Sequence, residues 1–176
     1  MHRYLILLLA LLQSYSVLAF GGHQLNLAGQ WSVQLDPEDV GVKNGWTNRS
    51  FTTAIKLPGT TDDAGLGTAN SLTPALTKPQ LSHLTRKHRY VGAAWYSKEL
   101  FIPKGWAGKE MILKLERIIW ESNVWVDGVE IPQKQRSLVG SHEFDLSSFL
   151  KAGRKQRLTI RIDNRKKLAI SVDDMA

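Results

Sequence analysis

The chain has 176 residues, 43% of them apolar and 22% charged, with a formal net charge of +7 and no cysteine. That balance fits one packed domain and excludes a disordered, charge-dominated chain. The missing cysteines exclude a disulfide framework and thiolate zinc sites.

The first residues read as a leader. His2 and Arg3 form a short basic region, Tyr4 to Leu12 an apolar run, and Val17-Leu18-Ala19 a small-residue cleavage site. The run is too short for a membrane span. The expected organisation is a signal peptide over 1–19 and one domain over 20–176, exported to the periplasm or the exterior, with no membrane contact once the leader is removed.

Trp31, Val33 and Leu35 alternate with Ser32 and Gln34, the period of a half-buried strand that Asp36-Pro37 ends. A polar loop reaches Gly45. Asn48-Arg49-Ser50 fits a glycosylation acceptor, which matters only in a eukaryotic secretory pathway. Phe51 to Leu57 predicts a weaker strand stopped by Pro58-Gly59. From Thr60 to Arg89 no apolar period is visible, and irregular stretches of that length are usually functional or disordered. Asp62 and Asp63 lie there without the spaced partners of a calcium loop.

Ala94 to Ile102 predicts a strand with aromatic residues on both faces, ended by Pro103. Met111 to Leu115 predicts a strand deep in the sheet. Asp127-Gly128 joins two alternating arms, Asn123 to Val126 and Val129 to Ile131, and the pair suits a type I′ hairpin turn. On the first arm Val124 and Val126 share one face, with Asn123 and Trp125 on the other. Asp145 is placed to cap one or two helical turns over Leu146 to Leu150, with Gly153 as terminator. Leu158, Ile160 and Ile162 then give the cleanest alternation in the chain. About seven or eight short strands and no long helix predict an all-β, antiparallel β-sandwich of jelly-roll type, with its last strand or strands expected to be missing. Its expected core is Leu113, Leu115, Val124, Val126, Leu158, Ile160 and Ile162.

Lys and Arg bunch at 86–89, 151–157 and 165–167. Such clusters attract nucleic acid or acidic polysaccharide, or stand as solvated loops, and no nucleic-acid motif accompanies them. His83 and His88 do not make a zinc spacing, no phosphate-binding glycine loop is present, and no nucleophile elbow supports a Ser-His-Asp triad. No cofactor or metal is therefore expected. Trp31 and Trp95 belong to strand patterns and read as core. Trp46, Trp106 and Trp120 lie nearer loops, where stacking on a sugar is the alternative to packing.

Six segments in order resemble one family. They are Leu27 to Leu35, Leu57 to Thr60, Ala94 to Ser97, Val124 to Gly128, Phe144 to Leu146 and Leu158 to Asn164. Together they are similar to the N-terminal, galactose-binding-domain-like sugar-binding domain of glycoside hydrolase family 2, which includes β-galactosidases and β-glucuronidases. The run from Leu115 to Gly128 is similar to a subgroup of large exported bacterial enzymes. The resemblance implies a jelly roll that precedes an immunoglobulin-like domain and a TIM barrel of the same polypeptide. In such enzymes two barrel glutamates perform retaining hydrolysis with carboxyl groups roughly 5 Å apart. It implies no catalytic residue in this stretch, a carbohydrate partner in the longer protein, and a further Asn-Trp-Asn-Gly segment that completes the sandwich. A free-standing carbohydrate-binding module or an exported interaction domain is the alternative reading.

In the β-galactosidase branch the loop before the Trp95-Tyr96 strand reaches the sugar pocket with an Asn-Pro pair. This chain lacks that asparagine, which leaves Arg89 and Tyr90 as the implied glycan contacts. Arg89 suits hydroxyls or a uronate carboxylate, and Tyr90 a pyranose face. Asp62 and Asp63 complete the candidate substrate-binding set, or else pair with Arg89 and pin the loop.

Overall fold

The computed structural model describes residues 23–70 and 86–165. The expected leader, the middle of the irregular stretch and any closing segment after 165 lie outside the described residues.

The strands are β1 (Gly29–Asp36), β2 (Thr53–Leu57), β3 (Thr68–Ala69), β4 (His88–Arg89), β5 (Ala93–Phe101), β6 (Ile112–Leu115), β7 (Glu121–Val126), β8 (Val129–Glu130), β9 (Gln135–Arg136), β10 (His142–Asp145) and β11 (Lys155–Asp163). The main sheet runs β2-β1-β5-β11-β7-β8, with β9 also on β7. Every pairing is antiparallel. A second layer pairs β6 with β10, and β3 with β4 makes a separate ribbon. The chain is an antiparallel β-sandwich, as the alternating strands predict.

Period two decides what each face does. Val33 on β1, Tyr96 and Leu100 on β5, Val124 and Val126 on β7, and Leu158 and Ile160 on β11 enter one core. Met111, Leu113, Phe144 and Leu146 meet them from the other layer. Burying each such side chain stabilises the fold by about 1.5–3 kcal/mol. Asp127 and Gly128 adopt φ of 49° and 85°, as the expected hairpin turn requires. The Asp127 carboxylate also ties that turn to β11, accepting from the Arg157 N–H at 2.8 Å and the Gln156 side chain at 2.9 Å.

Three expectations are corrected. Leu115 and Ile162 are only partly buried, because each lies at or next to a strand end. The strand at Met111 to Leu115 is not deep in the main sheet but forms half of the two-stranded layer, with Ile112 and Lys114 exposed. By contrast, the turn expected over Leu146 to Leu150 is present as a single one: the Asp145 carboxylate accepts the Ser147 N–H at 2.8 Å, and the Phe149 and Leu150 N–H groups reach back to the Leu146 carbonyl. The stretch read as irregular holds β3 and β4, paired Thr68 to Arg89 and Ala69 to His88.

One polar pair sits inside the sandwich. Ser122 Oγ lies 2.5 Å from His142 Nδ1, and neither residue is exposed. Burial lowers the His142 pKa from its ordinary value, only partly opposed by the Ser137 carbonyl. The fold therefore favours the neutral ring. That contribution is complete above the unfolded pKa of about 6.5 and is lost as pH falls through it toward the lower folded value. Melting temperature should fall from about pH 7.5 to about pH 5, and His142→Asn should flatten that slope. An equal slope in the variant would assign the effect to another group.

Candidate functional site

The register places one row of residues across an end of the main sheet. Asp36 faces Ala93, Ala93 faces Asp163, Asp163 faces Glu121, and Glu121 faces Arg136. Three of these are fully buried carboxylates, so each must find charge or hydrogen-bond partners. Asp36 accepts the N–H groups of Val40 and Gly41 and the Trp95 indole N–H. Glu121 meets Arg136 at 2.7 Å, Lys134 at 2.9 Å and Arg161 at 3.5 Å. Asp163 meets Arg165 at 2.7 Å and Arg161 at 3.0 Å.

Asp39 closes the network from the loop after β1, pairing with Arg161 at 2.6 Å and Arg165 at 2.7 Å. Burial pushes the Asp163 carboxyl up, but its bonds and charge from Arg165 and Arg161 outweigh this and hold it well below the usual carboxylate range. Asp39 is lowered by the same balance of burial against the two guanidinium groups. Arg165 is held protonated by Asp163 and Asp39. A depression of about 300 Å³ opens beside this network, with Asn123, Glu130 and Lys134 on its walls and Trp125 below.

Tyr90 stands at the same end. Its hydroxyl donates to the Ala93 carbonyl and accepts from the Asp36 N–H, so the ring is tied into the corner, half-buried, and its pKa is raised by burial. Asn164 clamps the corner further, donating to the Tyr90 carbonyl and accepting from the Gly92 N–H. Asp62 accepts the His88 N–H at 2.6 Å and the Lys87 N–H at 3.2 Å. Asp63 accepts from Thr60 within its own turn. Arg89, between His88 and Tyr90, is exposed and pairs with neither aspartate. The structure thus gathers Arg89, Tyr90 and Asp62 into one corner, with Arg89 the member displayed to solvent.

Two neighbouring loops extend that end. The Ser137 N–H donates to the Trp120 carbonyl at 3.1 Å, which sets Ile119 beside Leu138 and Val139. All three are exposed, Val139 at 97%. Trp46, Trp106 and Trp120 are each partly buried. Trp46 stands edge-on to Phe51 and Trp95, with the Arg49 guanidinium over its ring at 5.8 Å. Its packing role is plain.

Sequence reasoning missed Asp39, Glu121, Arg161 and Asp163. A signal existed for two of them, since Arg161 and Asp163 alternate with the core residues of β11 and so share its other face. In chemical terms Asp36, Asp39, Glu121 and Asp163 are taken up by hydrogen bonds and ion pairs, and what this end offers a partner is Arg89, a polar depression and an apolar rim. Among the described residues no cluster of His, Asp or Glu is arranged to hold a metal ion.

The model of glycosyl hydrolases family 2, sugar binding domain, matches residues 24–175. A β-glucuronidase of Paenibacillus borealis is 26% identical over 145 residues, and one of Sus scrofa 25% over 146. Those matches cover 79% and 78% of this chain but 21% and 20% of the relatives. The crystal structure of Ruminococcus gnavus β-glucuronidase superposes with a TM-score of 0.62 at 25% identity, over 80% of this chain and 21% of that one. The chain spans about a fifth of the length of the relatives it matches.

Proposed function

From the membership of this chain in glycosyl hydrolases family 2, to which it belongs as a sugar-binding domain, we propose that it is a non-catalytic part of an exported, β-glucuronidase-like enzyme. In the longer polypeptide it shapes one wall of the sugar pocket and braces a barrel that supplies the two catalytic carboxylates. An immunoglobulin-like domain and that barrel are its partners within the chain. The leader-like segment at 1–19 is what supports export.

The observation that carries the reading is the loop end of the sandwich. Arg89 is displayed there on a corner that Tyr90, Asn164 and Asp62 hold by hydrogen bonds. Ile119, Leu138 and Val139 supply exposed apolar surface at the same end of the sheet, of the kind that marks contact with another domain. The rigid corner would aim the guanidinium at a uronate carboxylate, where two parallel N–H donors give geometric selectivity.

The purified chain should release no nitrophenol from p-nitrophenyl β-glucuronide above a mock preparation. Turnover that co-purified with the chain and survived controls for host enzymes would place catalysis in this sandwich and overturn the reading.

A further inference from the structure

The opposite end of the main sheet carries a different surface. β5 ends at Phe101, paired with Lys155 at the start of β11, roughly 25 Å along the strand from Ala93. Two loops continue from this point and are tied together. The Ile102 N–H donates to the Arg154 carbonyl at 3.0 Å, and the Gly153 N–H to the Ile102 carbonyl at 2.7 Å. A Cβ on Gly153 would come 3.0 Å from Lys104 Cγ, so the Lys104 stem lies on that glycine.

These loops display Lys104, Lys109, Lys151 and Arg154, all exposed. Among the described residues none of the four makes an ion pair, whereas the neighbouring Lys155 meets Glu99 at 3.2 Å. Glu110 is the other acid in these loops. Phe101, exposed at 52%, stands beside Lys155 in the register. The cations sit on loops fixed by backbone hydrogen bonds, so little ordering is needed to present them together.

We propose that this end is a second binding surface for an anionic polysaccharide whose repeating carboxylates are carried by uronate rings. Spread, exposed cations that make no ion pair suit a polymer more than a small anion, because a chain meets several of them at once. The half-exposed ring of Phe101 gives a pyranose face an apolar seat. The choice of a polyuronate over another polyanion rests on the carbohydrate reading above. Such a surface would hold the enzyme on its polymer while the far end handles the sugar to be cleaved.

The test is binding of the purified full chain to immobilised polygalacturonate, with dextran and a DNA duplex as the comparison probes. Retention should weaken at least about tenfold between 50 mM and 200 mM salt, as counterion release requires. The joint replacement Lys104→Gln, Lys109→Gln, Lys151→Gln and Arg154→Gln should weaken it at least about tenfold at fixed salt. Lys43→Gln with Lys56→Gln, exposed cations elsewhere, should stay within about twofold. Circular dichroism of each variant should match the parent, since only exposed side chains change. Unchanged retention of the fourfold variant overturns the surface. Equal retention on dextran overturns it too, while leaving the carbohydrate reading intact. Retention on the duplex alone removes both.

Discussion

Arg161→Met is expected to destabilise the fold by about 3–5 kcal/mol, the usual cost of removing one partner from a buried charge network. The Arg161 side chain is 7% exposed and touches three carboxylates, on Asp39, Asp163 and Glu121. Methionine fills similar space but leaves Glu121 and Asp163 buried with one cation fewer each. Arg165, Arg136 and Lys134 remain and keep the loss finite. Arg161→Lys should recover part of it, since an ammonium restores charge but not the fork that reaches Asp39 and Asp163 together. Urea melts decide the matter, and a loss under about 1 kcal/mol would mean the row of carboxylates is stabilised without this guanidinium.

Trp95→Ala should be as severe, at about 3–5 kcal/mol. Trp95 is fully buried, stacks on Trp125 at 4.9 Å and meets Trp46 edge-on at 6.2 Å. Its indole N–H donates to Asp36 at 2.8 Å, so truncation also takes a donor from a buried carboxylate. Gly41 shows how closely the loop after β1 fits this ring, because a Cβ there would come within 2.4 Å of it. Trypsin cleavage at Lys43 and Arg49 should therefore accelerate in the variant along with the drop in stability. Loss of stability without faster cleavage would show that the loop holds to the sheet without the Trp95 ring, through the Asp36 and Asp39 contacts.

The two effects show what was legible in the sequence. Alternation on β1, β5, β7 and β11 assigned Trp31, Val33, Val124, Val126, Leu158 and Ile160 to the core, because period two is a local property of each strand. The Asp127-Gly128 turn was legible for the same reason. The charge network was not. Asp39 and Arg161 are separated by 122 positions, and their meeting depends on how the loop after β1 folds back over the sheet. The corner at Arg89 was legible in part. The resemblance pointed to Arg89 and Tyr90, but the fold gives Asp62 to the backbone of Lys87 and His88 instead of to the guanidinium. The β3–β4 pairing that sets Thr68 opposite Arg89 carries no apolar period that would announce it. The single turn at 146–150 was legible because an aspartate that accepts a nearby N–H is a local capping signal.

Family membership is shown by the match over residues 24–175; the claim that this sandwich serves a longer hydrolytic polypeptide is the part that most needs a direct test. Reading the coding sequence past the codon for Ala176 in genomic DNA of the source provides it. The account predicts an open frame that completes the sandwich and continues into a barrel with two glutamates whose carboxyl groups stand roughly 5 Å apart in the folded enzyme. A stop codon directly after Ala176 in intact genomic DNA would contradict it.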